Sequence, residues 1–327
     1  MKIAAEPLKA ASVSLLESLG ADPDEAKLVA DVLVMADMRG ISTHGVHFLP
    51  MIAERVKADV LRVPTQLDIL VDDKAVTHID GGNGLGQVAA EFGMRQAITK
   101  AREFGISCSL IRNTNHIGLL AFYSSMAASE GMLGFCMSNS AAALAPWGGA
   151  EAFFGTNPFS VAVPSGEADP ILLDMSTSVA ARGKIRRALR EGEQIPLGWA
   201  LDETGTPTED PAKAMKGSLM PVGGPKGYGM AMFIDLICGL LSGSKYSRDL
   251  LTFHKPLGPT GVGVTTVAVD ITRFMSLDNF FSLAEPHVQA IRESRKAEGN
   301  SRIYLPGEIE AGKERTSKEN GVEISPS

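Results

Sequence analysis

Residues suited to proton transfer and ligand binding are concentrated at residues 111–158 of this chain. His116 follows the polar run 112–115, and a second polar run ends at Ser140. Histidine titrates near neutral pH, so it can accept or donate a proton during a reaction. Ordinary turns and a structural histidine are the competing interpretation. Because there are two polar clusters and one carries the histidine, we favour a functional site.

Predicted strands place these clusters. Apolar, β-rich runs at residues 107–111 and 133–137 each end in a polar cluster, and a helix-like block at 119–130 separates them. A further strand at 171–173 ends in the polar residues 174–178. Binding chemistry is commonly found where polar groups follow apolar strands. We therefore expect the strand ends to form the site.

Two glycine-rich segments suggest contacts to a ligand. Lys226 lies between Pro225 and Gly227, just before an apolar helix. A lysine in a loop is usually solvated, but one at a helix N-terminus suits an anion or cofactor. The glycines at 81–87 are spaced by two and fit a dinucleotide fingerprint poorly. We interpret them as a tight turn between a strand and a helix.

The remaining pattern predicts a mixed or antiparallel sheet, because strands and helices do not alternate regularly. The first sixty residues are predicted to be helical, with a kink at Pro50. The last residues, 311–327, are polar and are predicted to form a loosely ordered tail. The other predicted elements are a hairpin at 67–79, a helix to about 103, strands at 159–163 and 261–270, an irregular connection at 195–211 and a helix at 278–295.

Size and composition restrict the possible functions. The 327 residues suffice for two domains, and 44% hydrophobic with 21% charged residues is typical of a soluble globular protein. The net charge of −7 argues against nucleic acid as a partner. The three cysteines are isolated, and the apolar run at 230–241 is too short to span a membrane. Without a recognisable signal peptide, we expect a cytoplasmic protein.

A metal centre is not expected. His44 and His47 are three residues apart, but no suitable set of carboxylates accompanies them.

Ten segments together resemble the malate/L-lactate dehydrogenase type 2 family. This family also contains ureidoglycolate, sulfolactate and 2,3-diketogulonate-type dehydrogenases and cyclic imino acid reductases. The segments occur in the family's order and span nearly the whole chain. They are residues 37–46 (with Thr43-His44-Gly45-Val46), 83–90, 112–118 (with Asn115-His116-Ile117-Gly118), 137–140, 145–149, 155–158, 173–178 (with Asp174-Met175-Ser176), 183–185, 226–229 and 305–308.

The resemblance implies an α+β fold that binds its nicotinamide cofactor on a mostly antiparallel, non-Rossmann sheet. It implies a helical domain from residues 1–65 and 276–327, an α/β substrate-side domain from 66–120 and 255–275, and an NAD(P)-binding domain from 121–254. It also implies a homodimer with the active site near the subunit interface.

The implied reaction is hydride transfer between NAD or NADP and a small 2-hydroxy or 2-keto acid resembling malate or lactate. His116 matches the family's acid/base, His44 matches a second active-site histidine, and Thr43 is a hydroxyl ligand where many members have serine. The implied cofactor contacts are Ser140, Asp174, Met175, Ser176 and Lys226.

One position departs from the family pattern. Phe48 stands where many members have an arginine, four residues after His44. Such an arginine can hold a substrate carboxylate, which a phenylalanine cannot. His47, Arg39 or Arg55 could replace it. Alternatively, the substrate could be less anionic, more apolar, or held from the second subunit. The three histidines outside the family segments are interpreted as structural: His78, His254 and His287.

Two alternatives remain open at this point. A reductase of piperideine or pyrroline carboxylates needs a similar pocket, because its substrates also place a carboxylate beside the reacting carbon. A non-catalytic nucleotide-binding protein is compatible with the missing arginine, although His116 and Lys226 argue against it.

Overall fold

The computed structural model describes residues 2–166 and 169–324. Most of its strands join one large sheet, and four others form two short pairs. In chain order the strands are β1 (Lys2–Ile3), β2 (Asp68–Asp73), β3 (Val76–Asp80), β4 (Ile106–Thr114), β5 (Met132–Ser138), β6 (Phe159–Val163), β7 (Ile171–Met175), β8 (Ala200–Leu201), β9 (Ser218–Leu219), β10 (Val262–Asp270) and β11 (Val322–Glu323).

The large sheet has seven strands in the order β2-β3-β4-β10-β5-β6-β7. Its pairs are antiparallel except for β3 and β4, which run parallel. The two longest strands, β4 and β10, are neighbours near the middle. The predicted mixed sheet is therefore confirmed, and the fold is α+β.

Helices pack against this sheet and form a separate bundle at the N-terminus. Met94 of α4 and Tyr123 of α5 share a core with Ile111 and Val264 of the sheet, whereas Leu16, Leu33 and Ile52 belong to the N-terminal bundle. The helices are α1 (Ala5–Ser18), α2 (Pro23–Met38), α3 (Phe48–Lys57), α4 (Gly86–Phe104), α5 (Leu120–Ser129), α6 (Arg182–Glu191), α7 (Pro211–Lys216), α8 (Pro225–Asp235), α9 (Leu277–Glu293) and α10 (Glu308–Asn320).

The prediction of a loosely ordered tail was wrong for residues 311–324. This segment contains most of α10 and all of β11, which pairs with β1. Glu314 of α10 accepts a hydrogen bond from Arg39 at 2.8 Å, and the Ser317 hydroxyl donates to the carbonyl of Met38 at 3.0 Å. A polar helix without an apolar stripe is stabilised here by partners far away in the chain, which local sequence does not reveal. Residues 325–327 of the predicted tail lie outside the described residues.

Two smaller predictions were also wrong. Pro50 does not kink a helix, because α3 begins at Phe48 and the proline lies in its first turn, where no intrahelical N–H donor is required. The connection at 195–211 is not wholly irregular, because it contains β8, which pairs with β9. The turn predicted at 81–87 is confirmed, with α4 starting at Gly86.

Candidate active site

A cluster of aromatic rings surrounds His116, which follows β4. The ring of Phe48 is nearly parallel to the His116 ring, with 4.1 Å between centroids and 9° between planes. The His44 ring lies 5.4 Å from His116, and Phe253 lies 5.8 Å from it. His116 and His44 remain partly exposed, so a small ligand could reach them. The structure thus brings together both predicted catalytic histidines.

The turn before α4 positions His116. The amide of Asn115 donates hydrogen bonds to the carbonyls of Asn83 and Gly84 at 3.1 and 2.9 Å. A Cβ at Gly86 would lie 2.3 Å from the carbonyl oxygen of Asn115, so only glycine permits this close approach. The glycine segment that fits a dinucleotide fingerprint poorly therefore holds the His116 loop in place.

Asp37 organises the segment that carries His44. Its carboxylate accepts a hydrogen bond from the backbone N–H of Val46 at 2.8 Å. Gly45 packs so closely that an added Cβ would lie 2.0 Å from Asp37 Oδ1. Burial raises the pKa of Asp37 to about 6, although the Val46 hydrogen bond opposes the shift. Thr43 Oγ1 lies 3.0 Å from His44 Nδ1, so this hydroxyl orients the ring.

Burial keeps the clustered histidines neutral. It lowers the pKa of His116 well below 6.5, and the charges of His44, His254 and His47 lower it further. The pKa of His44 falls to about 4 through burial and the charge of His47. The N–H of Gly118 donates to His116 Nδ1 at 3.2 Å, which leaves the proton of the neutral ring on Nε2.

Two further residues, Phe253 and His254, join the cluster from the loop that precedes β10. Phe253 lies 5.7 Å and His254 6.0 Å from the Phe48 ring. Arg55 holds this loop by donating to the carbonyls of Lys255 and Gly258 at 3.0 and 2.7 Å. His254, which the sequence analysis interprets as structural, thus lies in the ring cluster, and no local motif marks this position. By contrast, His78 lies 2.8 Å from the carbonyl of Ser242.

The structure also shows what the proposed replacements for the missing arginine do. Arg39 forms an ion pair with Glu314, and Arg55 is fully buried and bonded to backbone carbonyls. Neither guanidinium is free to bind a substrate. His47 is exposed, with its ring 4.5 Å from Phe48, and its pKa is lowered chiefly by burial.

The predicted cofactor residues lie on loops that are joined by hydrogen bonds. The N–H of Ser140 donates to Asn157 Oδ1 at 3.0 Å, and the N–H of Thr177 donates to the carbonyl of Thr156 at 2.9 Å. The N–H of Val222 donates to the carbonyl of Thr177 at 2.9 Å. These bonds connect the loops that carry Ser140, Ser176 and Lys226.

Asp174 and Met175 end β7, and Asp174 has a structural partner. Its Oδ2 accepts a hydrogen bond from the N–H of Ala121, in the first turn of α5, at 2.7 Å. A carboxylate at this position satisfies a free helix N–H and complements the helix dipole. Burial nevertheless raises its pKa to about 6.

The donors near Lys226 fit a phosphate-bearing cofactor. Lys226 is exposed in the first turn of α8. The N–H groups of Lys226, Gly227 and Tyr228 already donate to the carbonyls of Gly223, Val222 and Gly224, so the ammonium group of Lys226 is what this turn offers to an anion. Gly224 before it has a φ of +62°, a conformation that favours glycine. The hydroxyl of Ser176 lies on the neighbouring loop and contacts Ser178 Oγ at 3.2 Å. An exposed ammonium group beside a hydroxyl suits the diphosphate of NAD or NADP.

Residues 2–166 and 169–324 contain no group of three or more His, Cys, Asp and Glu side chains that could hold a metal ion. Over the same ranges, no helix is both long and apolar enough to cross a bilayer.

Comparison with known proteins identifies the family. The family model described as malate/L-lactate dehydrogenase matches residues 3–327, so the chain belongs to that family. A malate/(S)-sulfolactate dehydrogenase from Methanothermus fervidus is 33% identical over 324 residues, covering 99% of this chain and 94% of its own. The ureidoglycolate dehydrogenase (NAD(+)) of Escherichia coli K12 is 35% identical over 328 residues, covering 99% and 93%.

A solved structure extends the similarity to the whole fold. The sulfolactate dehydrogenase from Methanocaldococcus jannaschii superposes with a TM-score of 0.94 and 35% identity, covering 99% of this chain and 93% of that one. The names of relatives include both NAD(+) and NADP(+) as cofactors. The protein is accordingly an NAD(P)-dependent oxidoreductase of this family.

Proposed function

We propose that this protein transfers a hydride between NAD(P) and a small 2-hydroxy or 2-keto acid, with His116 as the acid/base. The observation that carries this proposal is the partly exposed His116, held by the Asn115 and Gly118 contacts inside a ring cluster. The nicotinamide supplies the hydride chemistry, while the protein orients the partners and handles the proton.

His116 carries the proton that the reaction requires. When a keto acid is reduced, the carbonyl oxygen becomes an alkoxide that must be protonated. Because burial and neighbouring histidines lower the pKa of His116, its protonated form is a strong acid and gives up a proton readily. In the neutral ring, Nε2 donates a hydrogen bond to the same oxygen. We assign His44 and Thr43 to substrate orientation, beside His47 and Phe48.

We assign the cofactor to the joined loops at the ends of β5 and β7 and at the start of α8. Ser140, Met175, Ser176 and Lys226 are the proposed contacts, and Asp174 supports them by fixing α5. The hydrogen bonds that join these loops and the exposed ammonium group of Lys226 support this assignment. This binding mode is non-Rossmann, because the glycine turn before α4 contacts the His116 loop and is not assigned to the cofactor.

We propose the domain organisation implied by the resemblance: a helical domain from both chain ends, a substrate-side domain and an NAD(P)-binding domain. The pairing of β1 with β11 and the contacts of α10 with α2 support the first of these. We also propose a cytoplasmic homodimer. Helix α9 supports the dimer, because none of its 17 residues is buried and Leu283 is 65% exposed. Such a face is typical of an interface.

The test is NADH and NADPH oxidation against a panel of 2-keto acids and cyclic imino acids at one pH, with cofactor binding followed by fluorescence. Turnover of a keto acid supports the proposal and fixes the preferred cofactor. Turnover of imino acids alone would establish the reductase alternative. If the wild-type protein and H116Q both bound the cofactor and neither turned over any substrate of the panel, the result would establish a binding protein.

A further inference from the structure

Arg186 lies at the edge of the ring cluster. Its Nη1 is 3.5 Å from His254 Nε2. The His254 ring stacks on Phe48, which stacks on His116, so a continuous series of rings joins this guanidinium to the acid/base. Helix α6 itself adjoins the catalytic segment, because a Cβ at Gly183 would lie 2.9 Å from Thr43 Cγ2.

The guanidinium of Arg186 is uncommitted. Arginine is only a donor, and the long contact to His254 occupies one of five N–H groups. Arg182, one turn earlier, donates to the carbonyls of Met215 and Gly217, and Arg187 forms an ion pair with Glu191 at 2.9 Å. In the described residues, no carboxylate comes within ion-pair distance of Arg186.

The charge of Arg186 acts on this part of the site. It contributes to the lowered pKa of both His47 and His254, although burial is the larger cause in each. His254 Nε2 must accept from the arginine, which places the ring proton on Nδ1, facing Met51 Sδ at 3.1 Å. The neutral histidine therefore steadies the guanidinium without neutralising its charge.

We propose that Arg186 binds the substrate carboxylate in this protein, the role that the family resemblance would give to an arginine at the position of Phe48. The proposal rests on the proposed function. Phe48 then forms an apolar wall beside the reacting carbon, and the carboxylate is held from the α6 side. A planar guanidinium binds a carboxylate through two parallel hydrogen bonds, which fixes orientation as well as position.

The experiment compares R186Q and R186K with R187Q, a matched control on the adjacent, ion-paired position. KM and kcat are measured for the preferred substrate and for its neutral carboxamide, together with NADH affinity and melting temperature. We expect R186Q to raise KM for the acid about 10- to 100-fold, the value of a charged hydrogen-bonded contact. The carboxamide, NADH affinity and melting temperature should be little changed. R186K should recover only part of the loss, and R187Q should resemble the wild type.

A second readout does not depend on turnover. Oxamate is a carboxylate that cannot be reduced, and its binding to the NADH complex can be followed by fluorescence. Weaker oxamate binding by R186Q than by R187Q supports the proposal, whether or not the wild type turns over a substrate. A failure of wild-type turnover would count against the proposed function alone. The proposal would be overturned if R186Q affected the acid and the carboxamide equally, or if it left both KM and oxamate affinity unchanged. It would also be overturned if R186Q lost NADH binding, or if the wild-type NADH complex bound no oxamate.

Discussion

The ring of Phe48 covers one face of the His116 imidazole, with 4.1 Å between their centroids and 9° between their planes. An apolar side chain thus contacts the proposed acid/base at the position where the family resemblance implies an arginine. Phe48 is only 4% exposed, so it is packed on several sides. In the proposed reaction the substrate would meet His116 along its uncovered edge, and its carboxylate would need a cation from another element.

Replacing His116 tests its role in proton transfer. We expect H116Q to lower kcat about 10²- to 10⁴-fold, the usual contribution of a positioned acid or base. NADH affinity should be unchanged, because the proposed cofactor loops lie elsewhere. Pre-steady-state turnover and NADH titration measure the two quantities. If H116Q retained wild-type kcat, another residue would be the acid/base.

Replacing Phe48 tests its effect on specificity. We expect F48R to change the order in which substrates are preferred, favouring dicarboxylates, because it adds a second cation beside the site. F48L serves as the control, since it keeps an apolar side chain and should retain the wild-type order. Relative kcat/KM over the substrate panel measures the effect. An unchanged order in F48R would show that this position does not determine specificity.

The pH dependence should differ between the two directions. Because the pKa of His116 lies well below 6.5, the protonated fraction of His116 falls steadily as the pH rises above its pKa. We expect kcat/KM for keto-acid reduction to fall with rising pH between 6 and 8, by up to about tenfold per unit. Oxidation, which needs the neutral ring, should be nearly constant over this range.

The carboxyls of Asp37 and Asp174, each with a pKa raised to about 6, could be confused with His116 in such profiles, and Asp37 is the one beside the segment of His44. D37N removes this titration while keeping an acceptor for Val46. If the slope for reduction disappeared in D37N, it would belong to Asp37.

A methyl group at residue 45 should disturb the catalytic segment. The Cβ of G45A would lie 2.0 Å from Asp37 Oδ1, so the segment must shift. We expect a loss of about 1–3 kcal/mol in unfolding free energy, typical of overpacking, with reduced kcat. Urea denaturation of G45A, D37A and the double variant tests the cause. Additive losses in the double variant would argue against a clash between these two positions.

Lys226 should contribute to cofactor affinity. We expect K226Q to weaken NADH or NADPH binding about tenfold, equivalent to about 1.4 kcal/mol, because it removes a charge-assisted contact. K216Q, an exposed change at the end of α7, is the control for overall charge. Fluorescence titration at two salt concentrations measures both. Equal affinities of K226Q and K216Q would exclude a specific role for Lys226.

The family, the α+β class and both histidines of the centre could be predicted from the sequence. Each depends on local signals: His44 and His116 lie within short motifs, and polar residues follow apolar strands at residues 138–140 and 174–178. Composition also identified a globular chain. Each of these features depends on a few neighbouring residues, so it can be recognised in a short segment of the sequence.

The surroundings of His116 were decided by tertiary structure. Phe253 and His254 reach the ring cluster because Arg55, about 200 residues earlier, bonds the carbonyls of Lys255 and Gly258. Arg186 reaches it because α6 packs against the segment of Thr43. The order of α10 likewise depends on contacts with α2. Such placements arise from hydrogen bonds and packing between distant segments, whose energies leave no periodic or local signal in the sequence.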